Sequence, residues 1–285
     1  MFNSVIIYSQ NGYALFVGLS TVDNAFYSSK YKKQYGDAAV AGVPSDIAKM
    51  KYVISETPYE LTILTDKQAT NKAVLNKLRE IGQKIKPDDT FLFYFSGHGD
   101  TVKDVSGDEL FGYDQVFVTY NDYLLDDSIH VLFKSFFAKS KNVMIVDACH
   151  SGSSFKSRNL FFDLNVKPKS GKEKFKSQKE ILSVDPLTLC SYASLNLPDE
   201  PYPLIYFGAV SDDKTAMGFP TGGLLTSVLY RVYDTYSDPQ SEPLTYQKLA
   251  CEISNQTKRK NQIMQYHEIG NISEKQKKQQ PFKLK

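Results

Sequence analysis

Cysteine is scarce: Cys149, Cys190 and Cys251 are the three in 285 residues, too few and oddly numbered for a disulfide framework. That scarcity points to a reducing compartment in which one thiol stays free to react. The first twenty residues hold no Lys or Arg, and the apolar run Val5-Ile6-Ile7-Tyr8 is too short for a signal-peptide core or a membrane span. A cytoplasmic chain with no membrane partner is expected. No internal repeat is visible. Also missing is any segment where Arg alternates with aromatic residues; the basic runs are mostly Lys with Ser, Gln and Gly, so no nucleic-acid partner is expected.

The formal charge is near zero at +2, but it is unevenly placed. Residues 156–180 carry eight basic side chains against Asp163, Glu173 and Glu180, and the tail Glu274 to Lys285 carries five Lys against one Glu. Taking these two segments (+5 and +4) from +2 leaves about −7 on the rest. The body is therefore acidic, favouring cationic substrates, while the basic charge sits in two segments that read as flexible.

With 41% hydrophobic residues the chain can bury a substantial core. Apolar runs at Tyr13–Gly18, Leu61–Leu64, Phe91–Phe95, Asn142–Val146 and Leu204–Val210 read as strands. Between them, residues 70–86 place Val74, Leu75, Leu78, Ile81 and Ile85 on one helical face, with Thr70 as N-cap. Residues 126–139 do the same with Ile129, Leu132, Phe133, Phe136 and Phe137, and later helices are expected over 222–236 and 245–258. Strand and helix in alternation predict a largely parallel sheet covered by helices, in one domain.

Two of those strands end in reactive side chains. Phe91–Phe95 leads into Ser96-Gly97-His98-Gly99, and the run Val143–Val146 leads into Asp147-Ala148-Cys149-His150-Ser151-Gly152-Ser153. A free thiol is mostly protonated at neutral pH, so a Cys nucleophile needs a partner such as a His delivered from another strand. A buried, inert Cys is the plainer alternative, but the Gly and Ser-rich turn after Cys149 suits an exposed site. His150 is adjacent to Cys149 and leaves the strand on the opposite side, so it reads as structural. Asp147 precedes Cys149 by two and shares its face.

The order His98 before Cys149, about fifty residues apart, is that of caspase-type and not papain-type peptidases. Tyr94-Phe95-Ser96-Gly97-His98-Gly99-Asp100 and Asp147-Ala148-Cys149-His150-Ser151-Gly152 resemble the two catalytic motifs of metacaspases and their bacterial relatives, the orthocaspases. The resemblance runs from about Tyr13 to about Thr257. It implies a caspase-like three-layer α/β/α sandwich around a largely parallel sheet, residues 1–155 being large-subunit-like and 183–285 small-subunit-like. The Lys-rich stretch 156–182 stands where such proteins carry a processed linker, and self-cleavage there is expected.

The resemblance also implies roles. Cys149 is the nucleophile and His98 the general base and acid, with the backbone N–H groups of Gly99 and Cys149 holding the oxyanion. Asp46, Ser96 and Asp147 line the pocket for an Arg or Lys before the scissile bond. Asp46 comes from Gly42-Val43-Pro44-Ser45-Asp46, where the family has Gly-Cys-x-Asn-Asp, so Val43 and Ser45 depart from the pattern. Asp46 also suits a helix terminus. Many metacaspases bind calcium, and Asp114, Asp126 and Asp127 match best, although Phe155 and Lys156 stand where a further family Asp is expected. Some orthocaspases work without calcium, and the dyad requires no cofactor. The expectation is a cysteine endopeptidase cutting proteins or peptides after Arg or Lys; the alternatives are a non-catalytic adaptor and a peptidase of acidic specificity.

Overall fold

The computed structural model describes residues 10–23, 25–27, 40–103, 113–149, 151, 196–197, 200–210, 214–238 and 240–284. The first half runs β1 (Gly12–Gly18), α1 (Val43–Val53), β2 (Tyr59–Thr65), α2 (Asn71–Lys84) and β3 (Thr90–Ser96), followed by the short strands β4 (Gly99–Lys103), β5 (Tyr113–Val118) and β6 (Tyr123–Leu125). Then come α3 (Asp126–Phe136), β7 (Lys141–Asp147), β8 (Asn196–Leu197), β9 (Leu204–Gly208), β10 (Gly218–Phe219) and β11 (Gly222–Gly223). The chain closes with α4 (Leu224–Thr235), α5 (Tyr246–Lys258), β12 (Gln265–Ile269) and α6 (Glu274–Lys278).

A seven-stranded sheet, in the order β2-β1-β3-β7-β9-β12-β8, forms the middle layer. The pairings from β2 through β9 are parallel; β12 then runs antiparallel to β9, with β8 parallel to β12. The inner parallel strands β1, β3, β7 and β9 are buried on both faces, as a sheet covered on both sides demands, whereas edge strand β2 is only half-buried. Phe16, Leu92, Tyr94, Ile145 and Phe207 pack under α1, α4 and α5. Their neighbours Leu15, Phe93, Phe95, Met144 and Tyr206 pack under α2 and α3. Burying one such side chain stabilises the fold by about 1.5–3 kcal/mol. The expected three-layer α/β/α architecture is present, and the Thr70 side chain caps α2 by accepting from the Ala73 N–H at 3.1 Å.

Three expectations need correction. The tail does not behave as a flexible charged segment: Ser273 caps α6, Lys277 and Lys283 are paired with Glu268 and Glu56, and Phe282 is fully buried against Tyr233 and Tyr246. Residues 42–46 contain more than a pocket Asp, since they open α1 with Pro44 in its first turn. Cys251 is disulfide-bonded, so of the described cysteines only Cys149 is a free thiol. The Lys-rich stretch 156–182 and His150 lie outside the described residues.

Candidate active site

β3 and β7 run in register to their ends, with Phe95 opposite Val146 and Ser96 opposite Asp147. His98 and Cys149 follow these last paired residues by two positions each, so the register brings both motifs to the same end of the sheet. The Gly97 N–H continues the pairing by donating to the Asp147 carbonyl at 3.4 Å. Tightest of all is the contact at Gly99, where a Cβ would fall 2.0 Å from the Cys149 carbonyl oxygen. Only glycine fits there. The Val118 N–H donates to the His98 carbonyl at 3.0 Å, which makes Gly99 and Phe117 a non-hydrogen-bonded pair of the β4–β5 ladder. The Gly99 N–H therefore points away from β5.

His98 and Cys149 are both half-buried. Burial pushes the Cys149 thiol up, and Asp147 and Asp100 push the same way; backbone hydrogen bonds from Ala216 and from Cys149 itself oppose them. At rest the sulfur is thus held as a thiol, and a base must take its proton as it attacks. Just beyond, Ser151 is fully buried: its Oγ accepts from the Val210 N–H at 3.1 Å, and its carbonyl accepts from the Tyr206 hydroxyl. These contacts fasten the residues after the nucleophile to β9.

Asp46, Ser96 and Asp147 also converge, although they come from α1, β3 and β7. Ser96 Oγ donates to Asp46 Oδ2 at 2.9 Å. Asp46 accepts further from the Gly223 N–H at 2.9 Å, and Asp147 Oδ2 accepts from the Thr226 N–H at 2.8 Å. Asp46 lies in the first turn of α1 without capping that helix. Instead the two carboxylates serve the N-terminus of α4, whose N-cap residue, Gly223, has no side chain to do so. Asp46 and Asp147 are only 1% and 5% exposed. Burial, then the neighbouring Asp147 charge, pushes the Asp46 carboxyl up to about 7. Burial also raises Asp147.

With both motifs in one place, comparison with known proteins narrows the family. Residues 26–157, which contain His98 and Cys149, match the family model described as metacaspase, peptidase C14 domain. That stretch is similar to a metacaspase peptidase domain. The chain is 30% identical over 128 residues to Metacaspase-1B of Neurospora crassa, covering 40% of this chain and 30% of that protein. Metacaspase-1 of Eremothecium gossypii is 32% identical over 165 residues, or 52% of this chain and 34% of its own length. The matched stretches thus span about a third of these relatives. Among solved structures, protein GSU0716 from Geobacter sulfurreducens superposes with a TM-score of 0.68 at 23% identity, covering 96% of this chain and 98% of that one, so the fold extends over nearly the whole chain.

The metacaspase match ends at residue 157, yet Ala216, Gly223 and Thr226, which touch the thiol and the acid pair, come from beyond it. Sequence reasoning missed these three because Ala216 and Gly223 act through backbone N–H groups and Thr226 through its N–H as well as its side chain; the doublet Gly222-Gly223 was the one available hint. It also missed Lys49, whose ammonium lies 4.0 Å from Asp46 Oδ1. Of the candidate calcium ligands, Asp114 lies within β5 and Asp126 and Asp127 open α3; among the described residues no group of three His, Cys, Asp or Glu could hold a metal. A cavity of about 270 Å³ at the opposite edge of the sheet, lined by Asp88, Lys141, Glu200 and Gln276 among others, includes none of the candidate catalytic residues. No described helix is long and apolar enough to cross a membrane.

Proposed function

We propose that this chain is a cysteine endopeptidase that cleaves proteins or peptides after Arg or Lys, with Cys149 and His98 as a dyad. The observation that supports this reading is the acid pair: Asp147, at the end of β7 two residues before the nucleophile, and Asp46, from the first turn of α1, are both shielded from water, and Asp46 is bound to Ser96 at the end of β3. A cation near two shielded carboxylates is held far more strongly than in solvent. An acidic side chain would meet repulsion there.

Cys149 Sγ attacks the scissile carbonyl carbon while His98 takes the thiol proton. The carbonyl oxygen becomes an oxyanion facing the Gly99 and Cys149 N–H groups, each such donor contributing about 2.7–4 kcal/mol to the transition state. His98 then passes its proton to the departing amine, and water, activated by the same His, releases the acyl group from sulfur. No step needs a metal ion. Self-cleavage within the Lys-rich stretch fits this specificity, because that stretch offers eight basic residues to the same pocket.

A panel of fluorogenic peptides, identical except for the residue before the cut, tests the reading. Arg and Lys peptides should be cleaved and Asp peptides ignored. Preference for Asp would overturn the specificity, and no cleavage of any peptide by the folded protein would favour an adaptor.

A further inference from the structure

The acid pair is covered by a specific lid. The β10–β11 hairpin turns through Pro220-Thr221-Gly222 directly above Asp46. Gly222 has φ +118°, and a Cβ on it would lie 2.2 Å from Asp46 Oδ1 and 2.6 Å from Lys49 Nζ, so its backbone is wedged between the carboxylate and the ammonium. The ammonium in turn holds the hairpin. Lys49 Nζ donates to the Thr221 carbonyl, to Ser227 Oγ at 3.0 Å and to Ser45 Oγ at 3.2 Å, so its three N–H groups all have oxygen partners. Ser45 Oγ reinforces the grip by donating to the same Thr221 carbonyl at 2.9 Å.

Lys49 follows Asp46 by three residues on α1, which puts both side chains on one face. One helix thereby supplies the pocket carboxylate and a cation beside it. That cation stands where a basic substrate side chain would have to go, and the hairpin tip it ties down closes the approach.

We propose that Lys49 is a gating residue: its ammonium latches the Pro220–Gly222 tip over the Asp46–Asp147 pair, and a basic substrate side chain enters by displacing it. Lys49 touches no reacting atom, so it acts as a positioning residue. The displacement half of the proposal rests on the Arg/Lys specificity argued above; the latch half stands on the contacts alone. A protein that binds only in its open form shows an apparent affinity reduced by the open fraction. If about one molecule in ten is open, freeing the latch improves apparent affinity up to roughly tenfold.

Lys49→Met keeps most of the stem and removes the charge. Two measurements on the full chain separate the parts of the proposal. Hydrogen exchange at the Thr221, Gly222 and Gly223 amides reports the latch without any cleavage. Steady-state kinetics with a short Arg peptide reports displacement. The expected result is faster exchange at those amides, a several-fold to tenfold lower KM and a kcat within about twofold of wild type, with Lys49→Arg restoring wild-type behaviour. Ser227→Ala, which removes one of the three oxygen partners, should show the same changes more weakly, and it serves as the test if Lys49→Met does not fold. Unchanged exchange overturns the latch, and an unchanged or higher KM overturns displacement. Faster exchange with no Arg cleavage by either protein would uphold the latch and overturn the proposed specificity.

Discussion

Two pairs of residues leave the same two strands and meet opposite fates. Ser96 and Asp147, the last residues of β3 and β7, are 2% and 5% exposed and hydrogen-bonded to α1 and α4. His98 and Cys149, two residues further on, are half-buried at the sheet edge. The difference matches what each pair would do in the proposed function. A carboxylate recognises a cation best where water is excluded, whereas a nucleophile must be reached by a peptide bond and then by water. In the proposed function the strand ends and α1 would thus set recognition and chemistry side by side, with the hairpin above Asp46 covering the first of them.

The largest effect should come from the exposed pair. Cys149→Ala should reduce peptide cleavage by at least about a thousandfold while leaving the thermal midpoint nearly unchanged, since it deletes the nucleophile and one sulfur atom of volume. Turnover within tenfold of wild type would break the comparison at its chemical end.

At the buried end, Asp147→Asn keeps an acceptor for the Thr226 N–H but discards the charge. A hydrogen bond to a charged group is worth about 1.5–3 kcal/mol, so kcat/KM for Arg peptides should fall roughly tenfold to 150-fold, and for uncharged peptides far less. Asp147→Ala should lose stability as well, by about 0.5–2 kcal/mol in chemical denaturation, because α4 then loses one of its two capping carboxylates. Equal losses on charged and uncharged substrates would show that Asp147 serves the helix and not the substrate.

Gly99→Ala probes the seam between the pairs. Its Cβ would have to displace the Cys149 carbonyl, 2.0 Å away, and so shift the N–H assigned to the oxyanion. A fall in kcat of about tenfold to a hundredfold with little change in KM is expected. A change confined to KM would remove Gly99 from the chemistry.

The smallest effect is a pH dependence. Burial and Asp147 raise the Asp46 carboxyl to about 7, so its protonated form is favoured in the folded chain. The stability this contributes is complete below about pH 4, the ordinary Asp value, and is lost as pH rises through about 7. The wild-type thermal midpoint should therefore decline between about pH 5 and 8 more than that of Asp46→Asn. Over the same interval kcat/KM for Arg peptides should climb as the pair ionises. Parallel pH curves for the two proteins would place the titration elsewhere.

How much of this was legible beforehand depends on whether side chains or backbone make the contact. Strands β1, β3, β7 and β9 were readable because apolar residues occupy both faces, β2 by its shorter run Leu61–Leu64, and Thr70 announced α2. α1 was hidden because one of its inward positions is Asp46, which breaks the apolar period at the place where the acid faces the core. β12 escaped for a similar reason, since Gln265 and His267 point inward, 7% and 1% exposed. The hairpin lid left almost no trace: Gly223 and Thr226 donate through amides, which any residue but proline possesses.

The tail described above changes what a cut chain would be. β9 pairs along its whole length with β7, Phe282 is held by Tyr233 and Tyr246, and Leu284 reaches back to β1, where a Cβ on Gly12 would lie 2.7 Å from it. Severing the backbone within the Lys-rich stretch 156–182 would therefore yield a two-fragment complex whose halves share one sheet and one core with no covalent link, since Cys190 and Cys251 both fall in the second fragment. Such a complex has a dissociation constant. Its resistance to heat would fall on dilution in a way that the uncut chain's would not.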